Sequence, residues 1–244
     1  MSFQERISAE INLQKNSKSL SKLSIDWITK AGEAGQQYMW DWLGLPIIQI
    51  SQDVVQYQEL IYSCKPDLII ETGIARGGSL TFTASMLCLL DIMEGLDPKK
   101  SNRKVIGIDI DIRSHNRKAL DNHPLRYKME LIEGSSIDSS IIQKVHSRVI
   151  NKDKDKVLVS LDSNHTHEHV LAELNAYADL VSVGSYCIVF DTVIEDMPDN
   201  SFPNREWDIG NNPKTAVHEW IKGRPEFVID KKIDEKLLIS VAPN

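Results

Sequence analysis

The sequence has little cysteine: only Cys64, Cys88 and Cys187 among 244 residues. They are scattered and sit in apolar surroundings, which excludes a disulfide framework and a zinc cluster. Buried free thiols predict a reducing compartment, the cytoplasm. A basic excess is lacking too: 28 Lys and Arg stand against 35 Asp and Glu, a formal net charge of −7. Phosphate backbones are met by basic surfaces, so nucleic acid is not an expected partner. No apolar run is long enough to span a bilayer, and no stretch reads as a signal peptide. Internal repeats are also lacking. With 41% hydrophobic residues, the chain can bury a sizeable core as one large α/β domain or two small ones.

The chain is organised around residues 67–79, Asp-Leu-Ile-Ile-Glu-Thr-Gly-Ile-Ala-Arg-Gly-Gly-Ser. Leu68, Ile69 and Ile70 form a short apolar run, as a strand covered on both faces does. Gly73, Gly77 and Gly78 permit backbone angles and close approaches that a Cβ forbids. Ser79 is the expected cap of an apolar helix over 80–93. Strand, tight turn and helix start, from Thr72 through Arg76 to Ser79, make a pocket for a nucleotide-like ligand at the carboxyl end of a parallel sheet. Glu71 repels a bare phosphate there and suits a cationic or hydroxyl-bearing ligand.

Residues 1–24 are polar and read as a peripheral helix or a disordered stretch, with a second helical piece through Ile25, Trp27 and Ile28. Trp40 and Trp42 anchor packing or wall a pocket. The boundary falls at 53: residues 1–53 form an N-terminal helical extension and 54–244 the binding domain, opening with a helix over 54–64 that Pro66 ends. Beyond the central turn, apolar strands at 105–111, 129–136, 157–162 and 186–191 alternate with helices at 113–120, 139–150 and 167–178. Alternation of this kind implies a parallel sheet. Residues 226–229 and 236–241 look like an antiparallel hairpin closing one edge. Residues 97–104 and 151–156 are charged connections.

Glu71, Asp109, Glu133, Asp162 and Asp191 all end strands in this reading, at the edge where open α/β sheets bind ligands. Asp109 can accept both hydroxyls of a ribose, because Asp111 is better placed to cap the next helix. Ser135 and Ser136 suit the rim of an adenine slot or lead into a capping box; both readings stand. The spacing Gly73-x-x-x-Gly77-Gly78 is not G-x-G-x-x-G, and the acid after the second strand lies too far downstream for nicotinamide dinucleotide. With Glu71 available to a cationic amino group, S-adenosylmethionine fits better. Asp162 and Asp191 can bind a hard divalent cation through oxygen. His165 can take a proton from a substrate hydroxyl, whereas His167 and His169 read as surface or capping residues. The long connection 192–213 is a functional loop in which Glu195, Asp196, Arg205 and Trp207 can all reach a substrate.

Pro66-Asp67-Leu68-Ile69-Ile70-Glu71-Thr72-Gly73 with Gly77-Gly78-Ser79, Gly107-Ile108-Asp109, Leu161-Asp162-Ser163-Asn164-His165, Ile188-Val189-Phe190-Asp191 and Asn212-Pro213-Lys214 together resemble the cephalosporin hydroxylase family. That family includes rhamnosyl O-methyltransferases and is similar to macrolide-sugar O-methyltransferases, class I enzymes dependent on S-adenosylmethionine. The resemblance covers residues 38–244. It implies a Rossmann-like, seven-stranded, mostly parallel sheet with an antiparallel last strand and helices on both faces. It implies a methyl donor over Glu71, Gly73 and Asp109, and magnesium held by Asp162, a glutamate and Asp191. The glutamate position holds Phe190 here, which leaves three options: weaker metal, a borrowed Glu195 or Asp196, or no metal. His165 matches the family's base. The expected function is O-methylation of a hydroxyl on a sugar or glycosylated acceptor, in a surface polysaccharide or natural product. The rival is a catalytically silent binding module, and the N-terminal helices offer a surface for a homo-oligomer.

Overall fold

The computed structural model describes residues 2–149 and 155–243. Two helices lead the chain, α1 (Phe3–Lys15) and α2 (Lys18–Glu33). Helix α1 is fixed by a capping box between Ser2 and Glu5 yet buries no residue. Helix α2 buries only Ser24 and Ile28. Beyond a short 3-10 turn at Gln36–Tyr38 the extension is no longer helical. Residues 40–47 form a β-hairpin, β1 (Trp40–Trp42) against β2 (Leu45–Ile47), and helix α3 already starts at Ser51 (Ser51–Cys64). The expected boundary at 53 therefore cuts through a packed unit. Leu45 and Ile47 lie in the same core cluster as Leu80. Trp42 stacks edge-on against Phe82 at 4.9 Å and donates to Ser85, so packing is its role, while Trp40 is exposed.

The central sheet has five parallel strands: β3 (Leu68–Thr72), β4 (Lys104–Asp109), β5 (Met129–Glu133), β6 (Val157–Leu161) and β7 (Cys187–Val189). Their spatial order is β5-β4-β3-β6-β7. The chain enters at the middle, builds outward through β4 and β5, then returns to the other side of β3. The order reverses between β3 and β6, where α/β sheets open a crevice. Side-chain alternation divides each strand between two layers. Ile69, Val105 and Leu158 face a core with Ile61, Leu80 and Leu87 from α3 and α4 (Gly78–Met93). Ile70, Ile106 and Val159 face the opposite core. There they meet α6 (Ser139–His146), α7 (His167–Tyr177) and α8 (Pro213–Trp220) through Val145, Leu174 and Trp220. Helix α5 (Ser114–Asp121) adds Leu120 to the first layer. At the amino ends of the strands, fully buried Asp91 accepts from Lys128 at 2.6 Å and Arg103 at 2.9 Å. Although desolvation opposes it, these donors hold the Asp91 carboxyl below its ordinary range.

The α/β class stands, but among the described residues the sheet has five strands where seven were expected, and the antiparallel closing hairpin is not formed. Residues 226–229 carry no strand, and 236–241 follow a short helix, α9 (Lys231–Asp234), as irregular chain. The apolar alternation that suggests strands is real, but side chains of α3 take the backbone donors. Gln52 Oε1 accepts from Leu238 and Ile239, both at 3.1 Å. Asp53 accepts from Ser240 Oγ at 2.5 Å and Val241 N at 2.9 Å. Between β7 and this tail lies a cavity of about 800 Å3 lined by Val189, Phe227, Ile229 and Leu237 among others. The predicted helix over 139–150 ends at His146. Residues 150–154, which include its end and most of the predicted charged connection 151–156, lie outside the described residues. Among the described residues no helix is long and apolar enough to cross a membrane.

Candidate active site

The strand register brings the predicted residues to one rim. Thr72 pairs with Ile108 of β4 and Leu161 of β6, so Gly73, Asp109 and Asp162 follow side by side. Phe190 N donates to Leu161 O, which places Asp191 next in line. Gly73 has φ +88°, and a Cβ there would lie 2.0 Å from the carbonyl oxygen of Asp162. The glycine is required by the neighbouring strand end. Gly77 and Gly78 likewise give room to Leu120 and to the backbone of Pro46. The space these glycines leave is thus filled by the protein itself.

Helix α4 starts at Gly78 with Gly77 as its cap residue, so Ser79 is not the cap. Its hydroxyl donates instead to Glu71 Oε1 at 2.6 Å, and Thr83 Oγ1 donates to Oε2 at 3.1 Å. Glu71 is 2% exposed, and burial pushes its carboxyl up to about 7. With no side chain capping α4, its first N–H groups remain for a ligand. Thr72 is buried and its hydroxyl accepts from Asp162 N at 3.3 Å, while Arg76 is exposed at the mouth of the turn.

Asp109 braces the turn. Its Oδ2 accepts from Ile74 N and Ala75 N, both at 2.9 Å, and Oδ1 accepts from Asp111 N at 3.1 Å. A carboxylate has about four acceptor sites, so one is left where two ribose hydroxyls were expected. Asp111 is not a cap either; α5 is entered through Arg113 without a side-chain cap. Asp138 caps α6, which removes the capping role offered for Ser135 and Ser136. Ser136 is buried and its hydroxyl lies 3.1 Å from His169 Nε2, while Ser135 is half-buried at the rim.

Asp162, His165 and Asp191 converge: one ligand atom from each lies within 4.8 Å of the others. His165 Nε2 is 3.5 Å from Asp191 Oδ2. Helix α7 begins after Thr166, so neither Asp162 nor His165 caps it. Desolvation, then the negative charges of Asp191 and Glu71, holds the Asp162 carboxyl well above its ordinary range. Two such acids facing each other are a site that a divalent cation relieves. Phe190 points away, 4% exposed and 6.1 Å from the ring of Tyr57 in the core. Neither substitute proposed for the missing glutamate joins the cluster. Glu195 is spent on Gly210 N and Asn212 Nδ2, and Asp196 on Lys214. His167 pairs with Glu219 and Thr215. His169 sits with Ser163 and buried Glu173, away from the metal-ligating atoms.

Three further residues adjoin the cluster. Trp207 meets the His165 ring edge-on at 4.7 Å, with Arg205 stacked 5.0 Å above the indole. Gln49 reaches Asp162, donating from Nε2 to Oδ2 at 2.8 Å. Its sequence signal was a lone amide between Ile48 and Ile50.

Against known proteins, the profile of the rhamnosyl O-methyltransferase/CmcI family matches residues 34–244. The rhamnosyl O-methyltransferase of Mycobacterium tuberculosis is 30% identical over 205 residues, 83% of this chain and 75% of the relative. That of Mycobacterium leprae is 29% identical over 164 residues, 66% of this chain and 65% of the relative. Among solved structures, CmcI with Mg and SAM aligns at 20% identity and a TM-score of 0.45 over 64% of this chain and 59% of that one. MycE of the mycinamycin pathway, with Mg, SAH and mycinamycin VI, aligns at 18% identity and a TM-score of 0.45 over 68% and 39%. The chain thus spans less than two thirds of either solved protein. By the extent of the family match and the identity to curated relatives, the chain belongs to the rhamnosyl O-methyltransferase/CmcI family of S-adenosylmethionine-dependent O-methyltransferases.

Proposed function

We propose that the acceptor is a hydroxyl of a sugar or glycosylated molecule, and that two carboxylates of the chain hold magnesium beside it. One observation carries this reading: Asp162, His165 and Asp191 meet within 4.8 Å at the rim where the strand order reverses. The curated relatives' name makes a rhamnosyl group the first acceptor to test. The donor set fits a hard cation, because both acids offer oxygen and repel each other across the half-buried site. Bound magnesium would make a coordinated hydroxyl more acidic and fix its direction.

The turn 72–79, the uncapped start of α4 and the remaining acceptor site of Asp109 are the groups that hold the methyl donor. Ser135 and Ser136 lie at the adjoining rim. His165 Nε2 takes the hydroxyl proton as the acceptor oxygen bonds to the methyl carbon, whose bond to sulfur breaks and leaves S-adenosylhomocysteine. Asp191, at 3.5 Å, stabilises the imidazolium that results. Trp207 restricts the ring's rotation, so proton acceptor and oxygen stay aligned. Much of the rate comes from this alignment. The three free cysteines agree with a cytoplasmic setting.

The test is His165→Ala, assayed for methyl transfer to a panel of rhamnosides and other sugars, with S-adenosylhomocysteine binding followed by calorimetry. We expect turnover to fall by about 10²- to 10⁴-fold with binding intact; undiminished turnover would remove His165 from the mechanism. A second reading, a silent binding module, is favoured by Phe190 at a ligand position. It would be established by donor binding without transfer to any sugar tested.

A further inference from the structure

Gln49 lies in the link between β2 and α3, contributed by a part of the chain far from the strand ends it meets. The residue is 9% exposed. Nε2 is committed to Asp162, while Oε1 is buried and has no hydrogen-bond partner. A buried amide oxygen without a donor costs about 1–3 kcal/mol, and folded proteins keep few of them. Among the polar groups around it, Ser79 and Thr83 donate to Glu71, Asp162 receives from Gln49 itself, and the Tyr57 hydroxyl, which lines the same small cavity, makes no hydrogen bond to the amide. Gln49 also lines a cavity of about 10 Å3 with Glu71, Ser79, Ser160 and Asp162, close to the room of one water.

The charge pattern gives the amide its meaning. Asp162 faces two repelling acids, Asp191 and Glu71. A neutral donor on Oδ2 fixes the carboxylate without cancelling the negative charge that a cation needs. A lysine or arginine at this place would occupy the site electrostatically. Since Phe190 removes one carboxylate from the expected ligand set, the direction of the two that remain matters more.

We propose that Gln49 is a positioning residue of the metal site: Nε2 sets Asp162 for the divalent cation, and Oε1 accepts from a water on that ion. The inference rests on the metal-assisted reading above, and its test separates the two. Mn2+ suits the same oxygen donors and is read by electron paramagnetic resonance. Gln49→Met keeps the side-chain length and loses both hydrogen-bonding atoms; Gln49→Asn keeps the amide but cannot reach Asp162. In the presence of S-adenosylhomocysteine, the wild type binds Mn2+ and both variants bind it about 10- to 100-fold more weakly. Their affinity for S-adenosylhomocysteine alone, by calorimetry, stays at the wild-type value. In methyl transfer kcat falls, KM for the donor holds, and added Mg2+ restores part of kcat, which a merely structural role would not allow. Wild-type Mn2+ affinity in a folded Gln49→Met or Gln49→Asn overturns the inference while Asp191→Asn still abolishes binding. Failure of the wild type itself to bind Mn2+ overturns the metal reading and this inference together.

Discussion

Glu71 shows how far one residue's surroundings can depart from its apparent role. In sequence it is an acid at a strand end, open to a cationic ligand. In the structure it faces the α4 layer beside Gly107 and Ser160, with both oxygens bonded to hydroxyls of α4. Its carboxyl is raised from 4.5 to about 7, by burial first, against the lowering effect of Ser79 and Thr83. A raised acid favours the folded state while it is protonated. That contribution is full below pH 4.5 and is lost as pH climbs through about 7. The size is of the order of 3 kcal/mol. Glu71→Gln removes the titration and keeps the shape. Urea denaturation of both proteins from pH 4 to 8 should show stability falling with pH more steeply in the wild type. Asp53, raised in the same sense, is present in both and cancels in the difference, whereas Asp162 loses the charge of Glu71 in the variant, which lessens its own fall with pH and adds to the same difference. A flat difference would mean that Glu71 stays in one protonation state throughout. At this scale the legible residues were those whose position follows from their own strand: Asp162, His165 and Asp191 each follow an apolar run by a few positions, and they converge. Gln49 was not legible as a site residue, because its role depends on a contact 113 residues away.

Secondary-structure elements were legible where periodicity and local capping decide them. The five parallel strands and the helices between them follow from apolar runs, Asp138 before α6 and the Asn212-Pro213 start of α8. The closing hairpin was not, because strand-like alternation cannot reveal that side chains elsewhere compete for backbone donors. Gln52 and Asp53 do so here, from the first turn of α3. Thr192 and Val193, next to Asp191, bind the same tail from the other side through Pro243 and Val241. The tail therefore joins the α3 start to the segment that carries Asp191. Asp53→Ala leaves Ser240 Oγ and Val241 N without their acceptor, at a cost of about 1–3 kcal/mol. Amide exchange at Val241 should then quicken by about tenfold or more, while exchange in β3, which requires global opening, changes less. Unchanged exchange at Val241 would show that the tail is held by its remaining contacts alone.

For the molecule as a whole, the reversal of strand order between β3 and β6 does most to place the site, and alternating strands and helices announced the parallel sheet but not its order. The division of the chain was harder to read, since polar composition near the N-terminus hides where packing begins. Helix α1 buries nothing and touches the body through Gln14 on the Lys236 carbonyl and an ion pair of Lys15 with Glu235. An exposed pair of this kind is worth about 0–1 kcal/mol. The β-hairpin is different in kind: Leu45 and Ile47 are 8% and 5% exposed, and Gly78 packs directly on its backbone. Each of those two side chains carries about 1.5–3 kcal/mol of burial, and Gln49 follows them. Removing residues 1–16 should therefore leave a cooperative thermal transition, followed by circular dichroism, within a few degrees of the full chain, with methyl transfer retained. Removing residues 1–53 strips the cover from Phe82 and the donor from Asp162, and should abolish both the transition and activity. A stable, active chain beginning at residue 54 would mean that the hairpin is an accessory to the catalytic unit, and that Asp162 needs no partner from it.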